Sequence, residues 1–239
     1  MFLSRVELAP SAAENEAFWR QVTNPYGAHQ ALWRLLSRSP EQKRDFLFRP
    51  EEGKSRVGFL VLSAEPPQND GEGLWTVQPK AFSPTFKIGQ KLGFRLRAST
   101  VVTRKGSRHD VVMDRKVALK LAGVAPVDET TLVHEAGVAW MQSQATRAGF
   151  KLAQANLDAI GDDGLLQSKP GMEIAVRVDG YRQHRLRPGR PHTEVIRFST
   201  LDFEGLLEVT DPLVFLKKVM TGFGPQKAFG CGLMLLRRM

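Results

Sequence analysis

Polar and apolar positions alternate over residues 2–8, where Arg5 and Glu7 interrupt an apolar run, and this predicts a short strand. Residues 12–22 have helical content, with Phe18, Trp19 and Val22 as the apolar positions. Asn24-Pro25 then supplies a helix start. Asparagine can accept from a free N–H of the first turn, and proline at the first helical position forfeits no hydrogen bond. The helix should run over 25–37 and bury Leu32, Leu35 and Leu36. A strongly apolar strand follows at 57–63, an exposed loop at 65–71 and another strand at 74–77. Residues 79–88 read as irregular chain or a short helix. The order strand, helix, strand, strand fits a small α+β sandwich of the ferredoxin-like type.

The rest of the chain repeats that logic. Residues 93–102 read as a long strand, 104–108 as a basic turn, 111–113 as continuing strand and 114–121 as a short helix. After a connector at 126–128, a helix is expected over 131–148, ended by Gly149. Strand-like runs follow at 150–159, 174–178 and 195–209, then a helix over 212–220 with Asp211 in the capping position, and a buried strand at 232–236. The fold class expected is therefore α+β with two tandem ferredoxin-like (RRM-like) domains, 1–90 and 91–239. No short-period repeat accompanies the duplication.

Charge changes the picture. The chain of 239 residues carries a formal net charge of +9, which favours a polyanionic partner through counterion release and steering. A single cysteine, Cys231, rules out an internal disulfide and suits a reducing cytosol. No basic region followed by a long apolar run opens the sequence, and no stretch reaches the roughly 18 apolar residues of a membrane span. A cytoplasmic protein without a membrane partner is expected.

Several chemistries find no support. There is no phosphate-binding P-loop. Gly222-Phe223-Gly224 resembles the start of a dinucleotide loop, but the third glycine is missing and an apolar strand follows. The five histidines, His29, His109, His134, His184 and His192, show no metal-ligand spacing. Asp162-Asp163 sits between glycines and reads as a solvated turn. No metal and no cofactor is expected.

Four features remain. Tyr26 and His29 lie three apart near a helix N-terminus, hence on one face beside an anion-attracting end, where an imidazole and a phenol could form an acid–base pair. The alternative is a packed tyrosine and a solvent-facing histidine. Arg95, Arg97, Arg104, Lys105, Arg108, Arg115, Lys116 and Lys120 make 95–120 basic, with 104–108 as a hairpin tip able to follow a phosphate backbone or simply to be solvated. Residues 177–197 hold Arg182, Arg185, Arg187 and Arg190, and Pro188-Gly189 and Pro191 point to an exposed loop. Arginine forks suit phosphates and guanine edges. Last, Gly222, Gly224, Gly230 and Gly232 surround Lys227, Phe223 and Phe229. By itself that run is a tight turn feeding the final strand.

Taken together, these residues resemble one family. The ending from Gly222 to Gly232, two Gly-x-Gly units before an apolar strand, is similar to the glycine-rich loop of CRISPR repeat endoribonucleases. Asn24-Pro25-Tyr26-Gly27-Ala28-His29 followed by Leu32-Trp33-Arg34-Leu35, and the basic segment from Thr103 to Val111, resemble its CasE branch, the processing subunit of type I-E Cascade. The resemblance implies tandem ferredoxin-like domains and cleavage of precursor RNA at the 3′ base of a repeat stem-loop, with 5′-hydroxyl and 2′,3′-cyclic phosphate ends. It implies retention of the stem-loop product and assembly with Cascade backbone subunits, so that double-stranded DNA is met only through the complex. Tyr26 and His29 fall on the family's catalytic positions. Arg95, Arg97, Arg104, Lys105, Arg108, Arg182, Arg185, Arg187, Gly222, Gly224, Lys227, Gly230 and Gly232 become the expected RNA contacts. The runner-up is a non-catalytic double RRM-like RNA-binding subunit, although an aromatic stacking strand is not evident.

Overall fold

Alternation along the first residues becomes strand β1 (Phe2–Leu8), which sends Val6 and Leu8 into the core while Arg5 reaches out to Glu51 at 3.0 Å. The computed structural model describes residues 1–239 apart from 17–21, 23, 24, 38, 40–44, 52–56, 69–72, 155–173 and 187–194, and only the backbone of 13, 14 and 25. Most of the helix expected at 12–22, the Asn24 cap, and the turn residues 187–194 thus lie outside the described residues. A 3-10 turn occupies Pro10–Glu14. Helix α1 (Pro25–Leu36) buries Ala28, Ala31, Leu32, Leu35 and Leu36, as its spacing requires. Strands β2 (Leu47–Pro50), β3 (Gly58–Ser63) and β4 (Trp75–Gln78) complete an antiparallel sheet in the order β2-β3-β1-β4. Strand β2 was not expected, because four residues ending in proline carry no readable period. Residues 79–88 are irregular, held to β1 by the Phe2–Ala81 bridge.

The long strand expected at 93–102 is broken at buried Ser99 and Thr100 into β5 (Lys91–Ala98) and β6 (Val101–Arg104). The latter pairs with β7 (Ser107–Asp110) as a separate hairpin, turned at Lys105 and Gly106 with φ of 50° and 80°. Residues 111–113 are not strand. They open α2 (Val111–Leu121), because the Asp110 carboxylate accepts from the Met113 N–H at 2.8 Å and caps the helix. Asp128 likewise caps α3 (Glu129–Arg147), and Gly149 follows at φ 72°. Strands β8 (Phe150–Leu152), β9 (Val176–Leu186) and β10 (Ile196–Val209) precede α4 (Pro212–Thr221), capped by Asp211, and β11 (Met234–Arg238).

This second sheet runs β11-β5-β10-β8 with all neighbours antiparallel. β9 lies on the same side of β10 as β8: β8 covers Leu207–Val209 and β9 covers 196–205. The short β8 and the long β9 therefore share one place in the ferredoxin-like order, and both sheets have that strand order. The first unit has no helix among the described residues between β3 and β4. The exposed loop read at 177–197 is corrected as far as Leu186, since β9 and β10 pair in register there.

Each unit has its own apolar core, Val6, Leu32, Phe48 and Trp75 in the first and Leu96, Met141, Phe203 and Phe215 in the second. A third cluster, Leu47, Leu62 and Leu233 with Leu60 and Leu235 against it, forms a seam between the sheets.

Candidate nucleic-acid interface

Helix α1 sets Tyr26 in its first turn and His29 one turn on, both partly exposed on one face. His29 lies against an aromatic bed, with its ring 6.0 Å from Phe46 and 6.5 Å from Phe48, the latter at 17°. Both phenylalanines come from β2 and its approach, the segment the sequence did not announce.

The glycine loop reaches that bed from the other unit. It is closed by the Phe223 N–H donating to Gly232 O at 3.0 Å, and its 3-10 turn Lys227–Phe229 packs against α1 and β2. Contact is close enough to demand glycine. A Cβ at Gly230 would lie 2.8 Å from Pro50 Cδ, and one at Gly222 would lie 2.8 Å from Leu47 Cδ1. The Lys227 ammonium turns back to the Thr221 carbonyl at 2.5 Å, completing the C-terminal end of α4.

Beside the loop opens a cleft of about 650 Å³, walled by β7, β9, β10 and the loop itself. Arg108 and Arg185 enter it, together with Arg197, Gln183, His184 and Gln226. Arg185 and Arg197 are register partners on adjacent strands, and among the described residues neither forms an ion pair. Like charges directly opposite each other destabilise a sheet, and an anion between them would relieve that repulsion. A bulge in β9 creates it. Between Asp179 and Arg182 the strand takes an extra residue against β10, so Val178 faces the core while Gln183 and Arg185 share the side of Tyr181 and the hairpin.

Asp110 ties these parts together. Besides capping α2, it accepts from Tyr181 Oη at 3.2 Å and from Ser199 Oγ, so one carboxylate joins hairpin, helix, β9 and β10. Burial raises the Tyr181 pKa and the neighbouring Asp110 charge adds to this, keeping it a phenol. His184 stacks on Phe198 at 4.7 Å, and Phe198 on Phe229 of the loop at 5.2 Å. Its Nε2 is 2.9 Å from Thr200 Oγ1, and burial, then the charges of Arg97 and Arg182, lower its pKa and favour the neutral ring.

Other expected contacts lie elsewhere. Arg95 pairs with Glu204 at 2.8 Å, and Arg97 with Asp202 at 2.7 Å, on the sheet face away from the core helices. Asp202 also meets Arg49 of the first unit at 3.7 Å, which makes Arg97 part of the joint between units. Arg104 holds Asp114 through two hydrogen bonds of 2.6 and 2.7 Å, Lys105 sits at the hairpin tip, and Arg182 is exposed on β9. Arg187 lies outside the described residues. Among those residues no group of three His, Cys, Asp or Glu side chains is arranged to hold a metal ion, and no helix is long and apolar enough to cross a membrane. Arg197 and Gln226 were not singled out from the sequence. The first depends on strand register, the second on the fold of the loop.

Two ferredoxin-like units, a glycine loop lodged between them and an arginine-lined cleft define a nucleic-acid-binding class of protein. The chain belongs to the CRISPR associated protein family, which it matches over residues 1–238, and within it to the CasE branch. It is 29% identical over 241 residues to the CRISPR-associated endoribonuclease Cse3 of Thermus thermophilus, with 98% of both chains covered. It is 27% identical over 239 residues to the Cascade subunit CasE of Escherichia coli, covering 99% of this chain and 98% of the relative. Its fold is similar to that of Thermus thermophilus Cse3 bound to an RNA representing a pre-cleavage complex, with a TM-score of 0.68, 26% identity, and 99% and 98% of the two chains covered.

Proposed function

We propose that this chain is a metal-independent endoribonuclease that cuts CRISPR precursor RNA at the 3′ base of the repeat stem-loop and remains bound to the product as a Cascade subunit. The observation that carries the reading is the packing of the glycine loop of the second unit against the helix bearing Tyr26 and His29, with the basic cleft beside it. The units divide near residue 90, and RNA lies along the basic hairpin and the loop. An RNA strand carries its own nucleophile, the 2′-hydroxyl next to the scissile phosphate. Holding that oxygen in line with the leaving 5′-oxygen supplies much of the rate, and no metal is required. His29 moves a proton as general acid or base, since imidazole titrates near neutrality. Tyr26 donates a hydrogen bond that positions the 2′-hydroxyl or a phosphate oxygen. The products carry 5′-hydroxyl and 2′,3′-cyclic phosphate ends.

The test is a labelled repeat hairpin incubated in excess EDTA. The wild-type protein should make a single cut and leave a cyclic phosphate, while His29→Ala should bind the hairpin with little change and leave it whole. Tight binding without cutting by either protein would make the chain an RNA-binding subunit and defeat the mechanism.

A further inference from the structure

Gln226 is a non-glycine residue in the left-handed region, at φ 58° and ψ 30°. It sits in a loop where four nearby positions with positive φ, Gly222, Gly224, Gly230 and Gly232, are all glycine. Glycine would adopt the same backbone without strain, so the side chain is retained at a cost, and such outliers gather where a side chain has work to do. The structure gives that side chain a destination. Gln226 lines the cleft with Arg108, Arg185 and Arg197, and no hydrogen bond links its amide to another described residue. His184 and Phe198 also line the cleft, but alternation along the strands turns their rings to the other face of the β9–β10 pair, where Phe198 stacks between His184 and Phe229.

A cleft with two opposed arginines and one uncommitted amide offers a seat for the phosphate and the base edge of a single nucleotide. Its phosphate would lie between Arg185 and Arg197, which answers the repulsion of two directly opposed cations. A carboxamide offers a donor and an acceptor side by side, the pattern that matches N6 and N7 of adenine. We propose that Gln226 is a specificity-determining residue that reads the base of one unpaired nucleotide of the bound RNA, adenine being the best match, while Arg185 and Arg197 hold its phosphate.

This rests on the proposed RNA substrate and adds to it the place where sequence is read. The loop is a fitting site, because its next residues pack against the helix of Tyr26 and His29. A base held by Gln226 therefore fixes the strand relative to the reacting groups.

The experiment uses the full chain and a panel of repeat hairpins in which each unpaired nucleotide next to the stem is replaced in turn by the other three bases. Dissociation constants and single-turnover cleavage are measured for wild type, Gln226→Ala, Gln226→Gly and Arg197→Ala. Wild type should disfavour wrong bases at one position by about 5-fold to 150-fold, the span of a bidentate contact. Both Gln226 variants should flatten that preference and leave the other positions unchanged. Gln226→Gly should also unfold at a higher temperature than wild type, which separates the side chain's role from the backbone's. Arg197→Ala should weaken all hairpins alike, as a phosphate contact does. Unchanged base preference in the two Gln226 variants, or a uniform loss across all positions, would overturn the assignment while leaving the endoribonuclease reading intact. Failure of the wild-type protein to bind any hairpin would overturn both.

Discussion

Replacing Gly230 with alanine puts a methyl carbon 2.8 Å from Cδ of Pro50 and 3.4 Å from Cε2 of Phe48. Neither neighbour is the loose end of a flexible side chain. The proline ring is fixed to the backbone of β2, and Phe48 is fully packed among Phe46, Phe59 and His29. Gly230 also has φ 79°, where an L residue costs about 1–2 kcal/mol. Overpacking against an unyielding wall adds about 1–3 kcal/mol. The variant should therefore lose about 2–5 kcal/mol of stability in urea unfolding, with m unchanged. Its cleavage defect should be larger than its binding defect. The clash falls on Pro50, and any shift of β2 that relieves it carries Phe48, whose ring is stacked on His29 at 17°; a shift of about 1 Å in a reacting group costs roughly 100-fold in rate. Single-turnover cleavage of a repeat hairpin should fall by more than about 10-fold under conditions where the hairpin is still saturated. A variant within about 0.5 kcal/mol of wild type that cleaves normally would refute the claim that this contact aligns the histidine.

Asp110→Ala removes the cap of α2 and the acceptor for Tyr181 and Ser199, and should cost about 2–3 kcal/mol in guanidinium unfolding. Asp110→Asn should keep most of the cap, so equal loss in the two variants would contradict the assignment. The hydrogen bonds from Arg104 lower the Asp114 pKa, against a smaller opposing effect of burial. A lowered carboxylate pKa stabilises the fold above the ordinary value of about 4 and loses that contribution as pH falls through the lowered one. Arg104→Ala should therefore lower the melting temperature slightly at neutral pH and hardly at all near pH ~2, and equal loss at both would remove the pair from the account.

Features carried by local chemistry were legible in the sequence. Asp211 and Gly149 mark helix ends in the chain as they do in the fold, and the shared face of Tyr26 and His29 follows from helical spacing alone. Residues 111–113 were misread because two valines and a methionine resemble a strand, whereas the side chain of the residue before them starts a helix. β2 is defined by pairing with β3 and has too few residues to show a period of its own. The basic residues were legible as charge but not as geometry. Arg95 and Arg97 find their carboxylates 109 and 105 residues further along the chain, and only the β5–β10 pairing brings them together. The opposition of Arg185 and Arg197 depends on a single extra residue in β9, a property of register that no composition reveals.

The central claim is that the RNA supplies the nucleophile and the protein supplies alignment and proton transfer. The direct test maps the wild-type cut, then removes the 2′-hydroxyl of the nucleotide immediately 5′ of it from an otherwise identical hairpin. The deoxy hairpin should bind as tightly as the parent and stay intact, with or without added magnesium. Cleavage of the deoxy hairpin, in either condition, would mean that an external nucleophile does the work and would contradict the mechanism.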